Sequence, residues 1–305
     1  MLMNTSTLTT PLLVKNAQGN TLSTATGFWY RRQPDGELFL VTNWHVVTGR
    51  KPSAPNISET GAVPTSLHGM IHEEVGQGKS ADPLIHEDRV VHFELPINDE
   101  DGERPRWFEH PTFLHRVDVV ALRMGQIAHP SGKGLVLRAV GDPNFLDLNP
   151  FFSTRVTDDA FVLGYPWGLR GGGDALPIYK RGTIASEPTL SQAGLPRFLI
   201  DCRTASGMSG SPVLATRPAT GQPLGVGRSP VFGRAGAFVG VYSGRLLPED
   251  LGASAIVNDT IAQRARDEIS EIGVVWRSEV IAAIVNNNRQ GSKLSEIIGL
   301  QMGGE

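Results

Sequence analysis

Residues 202–217 read CRTASGMSGSPVLATR, with the apolar runs RFLID at 197–201 and AFVGVY at 237–242 on either side. Gly207 can take a positive φ and come close to a ligand. A turn there can aim the N–H groups of Gly207 and Ser209 at one point, where an oxyanion would form. Serine is a weak nucleophile until a base takes its proton, and the base needs an acid to hold its tautomer. The reading of this stretch therefore depends on whether the rest of the chain supplies both.

Two positions answer. His45 lies in LVTNWHVV, just after an apolar strand and beside small polar residues, where a strand end can present it to a cleft. Asp118 interrupts the apolar run RVDVVALRM. An acid in such a run is costly unless it is paired or hydrogen-bonded, and an imidazole partner meets that condition. The order His45, Asp118, Ser209 is that of chymotrypsin, not of subtilisin or the α/β-hydrolases.

The pattern around these residues is short β-rich runs punctuated by Gly, Pro and Asp, and the chain holds 35 Gly and 21 Pro. TGFWYRR and LFLVTNW flank QPDGE and predict a hairpin. RVVHFEL, VDVVALRM, AFVLGYP, YKRGTIASE, RFLIDCR, SPVLATR, AFVGVYSG and IGVVWR read as further strands. The expected fold is all-β, with two barrels at this length and a helix only at the C-terminal end. In SEVIAAIVNNN, Ser278 is the expected N-cap, Val280, Ile281, Ile284 and Val285 form one apolar face, and the Asn run 286–288 ends the helix. Residues 51–88 and 130–155 lack a period and read as loop and linker. The expected division is a first barrel over 1–130 with His45 and Asp118, a linker over 131–155, a second barrel over 156–277 with Ser209, and a helix and tail over 278–305.

Bulk properties exclude several classes. A net charge of −3 gives no basic footprint for nucleic acid. The first twenty residues lack a charged lead with an apolar core, and no run approaches eighteen apolar residues, so neither a secretory leader nor a membrane span is expected. Cys202 is the single cysteine, which favours a reducing, cytoplasmic setting. GQGKS at 76–80 has Glu73 where a phosphate loop needs Gly, HEEV at 72–75 lacks the second His of a zinc helix, and GLRGGGD at 168–174 opens no helix. No metal, nucleotide or other cofactor is expected. Oligomeric state is not legible.

The assembled motifs resemble a family. TNWHVV resembles the histidine motif of HtrA-type, trypsin-like serine peptidases. VDVVALRM is similar to their aspartate strand, VLGYPWG to their first C-barrel strand, GMSGSPVL to their nucleophile loop, and GVYSGR to the strand that pairs with substrate. IGVVWRSEVIAAIV is similar to the last strand and C-terminal helix of trypsin. The resemblance covers roughly residues 20–288. It implies an all-β fold, a double six-stranded β-barrel with a C-terminal α-helix, and a serine endopeptidase acting on polypeptides, with His45 as general base, Asp118 as its orienter, Ser209 as nucleophile, and Gly207 with Ser209 as oxyanion donors. Ser211 is a rival hydroxyl that would begin the next strand, and Ser-Gly-Ser-Pro also occurs in glutamyl endopeptidases.

Two departures concern regulation. Met208 stands where secreted trypsins carry the activating Asp, so activation by that salt bridge is not expected. The residues past 288 are too few for the PDZ domain of HtrA proteins. For specificity, the resemblance places Arg203 at the base of the primary pocket and Ser243, Gly244 and Arg245 along its mouth, which implies cleavage after Glu or Asp. If Arg203 turns outward, a small apolar pocket is expected instead. A protease-like module that binds peptide without cutting it, and an esterase with the same triad, remain as alternatives.

Overall fold

The computed structural model describes residues 4–58, 61–77, 83–102, 104–125, 131–142, 153–172, 175–223, 230–246, 271–293 and 295–296. The all-β architecture is present. The second half is a closed barrel of six antiparallel strands: β11 (Asp159–Gly164), β12 (Ile178–Ile184), β13 (Arg197–Asp201), β16 (Ile272–Arg277), β15 (Pro230–Arg245) and β14 (Pro212–Pro223), in that spatial order. The first half is an eight-stranded sheet. Its path runs β10 (Leu135–Val136), β6 (Ser66–Gln77), β1 (Thr9–Lys15), β2 (Thr21–Arg31), β3 (Leu38–Thr42), β9 (Val120–Arg123), β8 (Trp107–Phe108), with β7 (Pro83–Pro96) also paired to β6. Among the described residues no ladder joins its two ends.

Three apolar clusters explain the runs. Leu12, Trp29, Leu40, Trp44, Leu67 and Leu122 fill the first sheet. Val162, Ile200, Met208, Val213, Tyr242 and Val275 fill the closed barrel. Phe28, Phe39, Val41, Ala121, Val241 and Trp276 meet between the halves. Successive residues of a strand face opposite ways. Leu40 therefore faces the first cluster while its neighbours Phe39 and Val41 face the shared one. β3 is buried on both faces, so LFLVT reads as a continuous apolar run rather than an alternation.

The predicted hairpin is present, with Arg31 opposite Leu38 across β2 and β3. The loop expected over 51–88 is not a loop. It holds β4 (Arg50–Lys51), β5 (Ala54–Ser58), β6 and the start of β7. Leu67 and Ile71 of β6 point into the first cluster, but the intervening His68 and the pair His72–Glu73 hide the period in sequence. The expected linker is also partly sheet. β10 pairs with β6, and Val140 exchanges main-chain hydrogen bonds with Trp29 and Arg31. Residues 143–152, like 78–80 of GQGKS and 173–174 of GLRGGGD, lie outside the described residues.

The C-terminal helix spans Glu279–Asn287 and buries Val280, Ile281, Ile284 and Val285 in the shared cluster. Ser278 makes no capping bond. Its φ of −59° and ψ of −32° are already helical, because β16 runs straight into the helix, and a capping hydroxyl needs an extended residue. Asn288 ends the helix in the left-handed region at φ 49°, and its N–H reaches Ile284 O.

Beyond the helix the chain docks on the first sheet. Gly291 N–H donates to Trp107 O, and a Cβ at Gly291 would stand 2.2 Å from the Trp107 ring. Glu109, fully buried, accepts from Ser292 Oγ at 2.6 Å and faces Arg289 Nε at 3.5 Å. Burial raises the Glu109 carboxyl above the usual range, against the smaller lowering by Ser292 and Arg289. The folded state thus holds this proton more tightly than the unfolded chain. This site therefore contributes most at pH below the ordinary glutamate range, and the contribution is lost as pH rises through the raised value. Glu109→Gln should flatten that dependence: thermal melts from pH 8 down to pH 5 should show the wild type gaining on the variant as the pH falls.

Candidate active site

His45 sits in a single helical turn, Trp44–Thr48, that leaves the end of β3. Asp118 lies two residues before β9 and is 3% exposed. β3 pairs with β9, so the end of one and the approach to the other are adjacent. His45 Nδ1 lies 2.7 Å from Asp118 Oδ2, and the His45 N–H donates to Asp118 Oδ1 at 2.9 Å. Ser243 Oγ donates to Asp118 Oδ2 at 2.5 Å, and Asn43 Nδ2 donates to the Asp118 carbonyl at 2.6 Å. The buried carboxylate is thus satisfied by three donors. With Asp118 ionised, Nδ1 carries the proton and Nε2 is left as the basic nitrogen.

Ser209 is tied to the same group from the other half of the molecule. Its Oγ donates to Ser243 O at 3.1 Å. Ser243 falls where the β15–β16 register shifts between Tyr242 and Gly244. Such an irregularity re-aims a residue, and here it turns the Ser243 hydroxyl to Asp118 and the carbonyl to Ser209. Gly207 has φ +92°, and a Cβ there would meet Tyr165 O at 2.4 Å, so the position is closed to other residues. The N–H groups of Gly207 and Ser209 make no hydrogen bond with any described residue. Ser211 is different: it is fully buried, and its hydroxyl has no partner among the described residues.

The loop is held by a residue that the sequence reading missed. Thr26 N–H donates to Ser209 O at 2.9 Å, and Thr26 Oγ1 donates to Gly207 O at 2.9 Å. The same Oγ1 accepts from Tyr165 N–H at 3.2 Å, and Thr26 O accepts from Thr42 Oγ1 at 2.9 Å. Pro11 stands opposite Thr26 in the β1–β2 register. Proline has no N–H to give, so this carbonyl receives no ladder bond from it. Only the small polar triplet TAT before Gly27, inside an otherwise apolar hairpin, hints at this in sequence.

The expected specificity residues separate. Ser243, Gly244 and Arg245 line a cleft of about 650 Å3 that also reaches Asp118. Arg203 does not line it. Its side chain is 85% exposed and its Nε lies 3.8 Å from Glu271 Oε1, which corrects the placement at a pocket base. Arg203 follows β13 by two residues, and water together with Glu271 offers its guanidinium better solvation than a buried pocket floor. The adjacent Thr204 turns inward instead, its hydroxyl bonded to that of Tyr242.

A family model described as the trypsin-like peptidase domain matches residues 25–226. That is more than half of the chain, and the chain belongs to this family. No curated protein matches it in sequence. Among solved structures, it is similar to a serine endoprotease from Yersinia pestis, with 9% identity and a TM-score of 0.41 over 92% of this chain and 62% of that one. It is also similar to a protease from M. tuberculosis in its active form, with 15% identity and a TM-score of 0.43 over 95% of this chain and 84% of that one. An HtrA-type protease with a tripeptide gives 11% identity and a TM-score of 0.44, over 92% of this chain and 60% of that one. The chain thus spans less than two thirds of the length of the first and third of these.

The contacts of Thr26 define a direct test. Thr26→Val keeps shape but leaves Gly207 O and Tyr165 N–H without this partner. Chemical denaturation should show a loss of about 1–3 kcal/mol, and Thr26→Ser should restore most of it.

Proposed function

We propose that the chain is a serine endopeptidase in which Ser209 attacks the scissile carbonyl and forms an acyl-enzyme. The observation that carries this reading is the linked set from His45 through Asp118 and Ser243 to Ser209, drawn from both halves of the fold. His45 Nε2 takes the Ser209 proton as Oγ bonds to the carbonyl carbon, then gives it to the leaving amine as the C–N bond breaks. Asp118 holds the imidazole and stabilises its charged form. Water repeats the cycle and releases the acid. The N–H groups of Gly207 and Ser209, unpaired among the described residues, suit the negative charge that develops on the carbonyl oxygen.

Two further features support the reading. Ser211 is buried beside Gly164, where a Cβ would stand 2.1 Å from its Oγ, so it is out of reach of a substrate. Met208 is fully buried in the apolar cluster of the closed barrel. It offers no charge for a newly formed terminal amine, so competence does not depend on cleavage upstream.

Ser209→Ala and His45→Ala should each lower peptide-cleavage turnover by about four or more orders of magnitude, with the double variant scarcely worse. Asp118→Asn should cost about 10⁴-fold through the wrong tautomer. A fluorophosphonate probe should label the unprocessed chain at Ser209, and Ser211→Ala should leave labelling intact. Absence of labelling in the unprocessed chain, with peptide still bound, would support a binding module instead.

A further inference from the structure

The cleft beside Ser243 has a charge that the molecule as a whole does not share. The chain carries a net charge of −3. Yet Arg116, Arg197 and Arg245 all line this one cleft, and Asp118 is its only carboxylate among the described residues. Asp118 is 3% exposed and its oxygens are turned to His45 and Ser243. Its charge is thus engaged away from Arg116 and Arg245 at the cleft wall.

The three arginines come from separate elements and two are held from behind. Arg197 begins β13, and its guanidinium lies 5.6 Å from the centre of the Trp276 ring, a stacking that fixes it against the cleft floor. Arg245 closes β15, donates from Nη2 to Thr204 O at 3.1 Å and lines the cleft, and a guanidinium carries further N–H donors beyond that one bond. Arg116, on the approach to Asp118 from the first half, is exposed and has no carboxylate partner among the described residues. His115 beside it is half-buried against Trp44, and burial with the Arg116 charge lowers its pKa, so at neutral pH it contributes no cation. Between these groups the floor is open: a Cβ on Gly244 would meet nothing within 4 Å.

We propose that this cleft selects extended polypeptides with acidic side chains on the acyl side of the scissile bond, within about two to four residues of it. The proposal rests on the peptidase reading above. The segment 243–245 leads directly from Ser209 Oγ into the cleft, since Ser243 O accepts from that hydroxyl. A peptide lying along it passes first Gly244 and then Arg245, in the cleft that Arg116 and Arg197 also line. Carboxylates there would gain charge-assisted hydrogen bonds to guanidinium forks. Lys or Arg at the same places would meet like charge. The selectivity thus comes from the cleft wall and not from Arg203, whose charge is directed to Glu271 outside it.

The experiment uses one peptide series with a constant residue at the scissile bond and Glu, Gln or Lys at the second to fourth residues before it. The unmodified full chain should cleave the Glu peptides with a kcat/KM roughly tenfold above the Gln peptides, the difference residing in KM, with Lys lowest. Raising salt from 50 to 500 mM should compress the series, because these pairs are exposed. Arg116→Ala and Arg245→Ala should each reduce the Glu-to-Gln ratio by roughly threefold. Binding of the same peptides, fluorescein-labelled, to the Ser209→Ala chain should follow the same order. If no peptide is cut and no fluorophosphonate label appears, the peptidase reading fails, while the binding order still judges the cleft. Equal rates and equal binding for Glu and Gln would overturn the proposal, as would a ratio untouched by both arginine variants. Displacement of the Glu peptide by an oligonucleotide at lower concentration than by unlabelled Glu peptide would also overturn it, in favour of a general polyanion site.

Discussion

Thr26 is where the two halves of this molecule are fastened at the point that matters. Its N–H and hydroxyl hold the carbonyls of Ser209 and Gly207, and its carbonyl holds Thr42, three residues before His45. Those bonds fix the peptide planes that carry the Gly207 and Ser209 carbonyls. The planes that carry the Gly207 and Ser209 N–H groups are held separately, through the Ser206 carbonyl, which accepts from Trp167 N–H at 2.6 Å, and the Met208 carbonyl, which accepts from Ser211 N–H at 3.1 Å. Each bond is modest in net worth, about 1 kcal/mol, but a buried carbonyl left unpaired costs more than the bond gains. The arrangement is therefore specified by the penalty of breaking it. Close packing enforces the same geometry: at Gly210, φ +86°, a Cβ would stand 2.2 Å from Thr26 O.

Asp118 poses the corresponding problem in electrostatics. A carboxylate at 3% exposure is tolerable only with its lone pairs filled. The chain fills them from three directions: the ring and the main-chain N–H of His45 from one half, and Ser243 from the other. The Ser243 contact exists because β15 slips register at that residue. The irregularity that costs β15 one rung of its ladder is what lets one residue reach both Asp118 and Ser209.

These local devices depend on the packing between the halves. Phe28, Phe39 and Val41 of the first sheet meet Val241 and Trp276 of the barrel, with the C-terminal helix closing the seam. Burial of an aromatic or branched side chain contributes about 1.5–3 kcal/mol. A seam built from many of them holds the two halves in one register, and a site divided between them requires that.

The sequence by itself singled out the candidate site residues and determined most strands. His45, Asp118 and Ser209 were legible because each breaks a local pattern: a polar residue at a strand end, an acid in an apolar run, a serine in a glycine turn. The runs at 117–124, 160–166, 211–217 and 272–277 were legible because strands buried on both faces are continuously apolar. The helix was legible from its 3.6-residue period. Tertiary structure alone decided the rest. β6 was hidden because His68, His72 and Glu73 blur its alternation, and only its pairing with β1 and β7 makes it a strand. Ser278 failed as a cap because the preceding strand had already set its backbone angles. Arg203 turned to solvent and Glu271, whereas Arg116, Arg197 and Arg245, widely spaced in sequence, came to line one cleft. No local pattern encodes such a convergence, because it is set by how the two halves pack, and hydrophobic burial specifies that without regard to which charges it brings together.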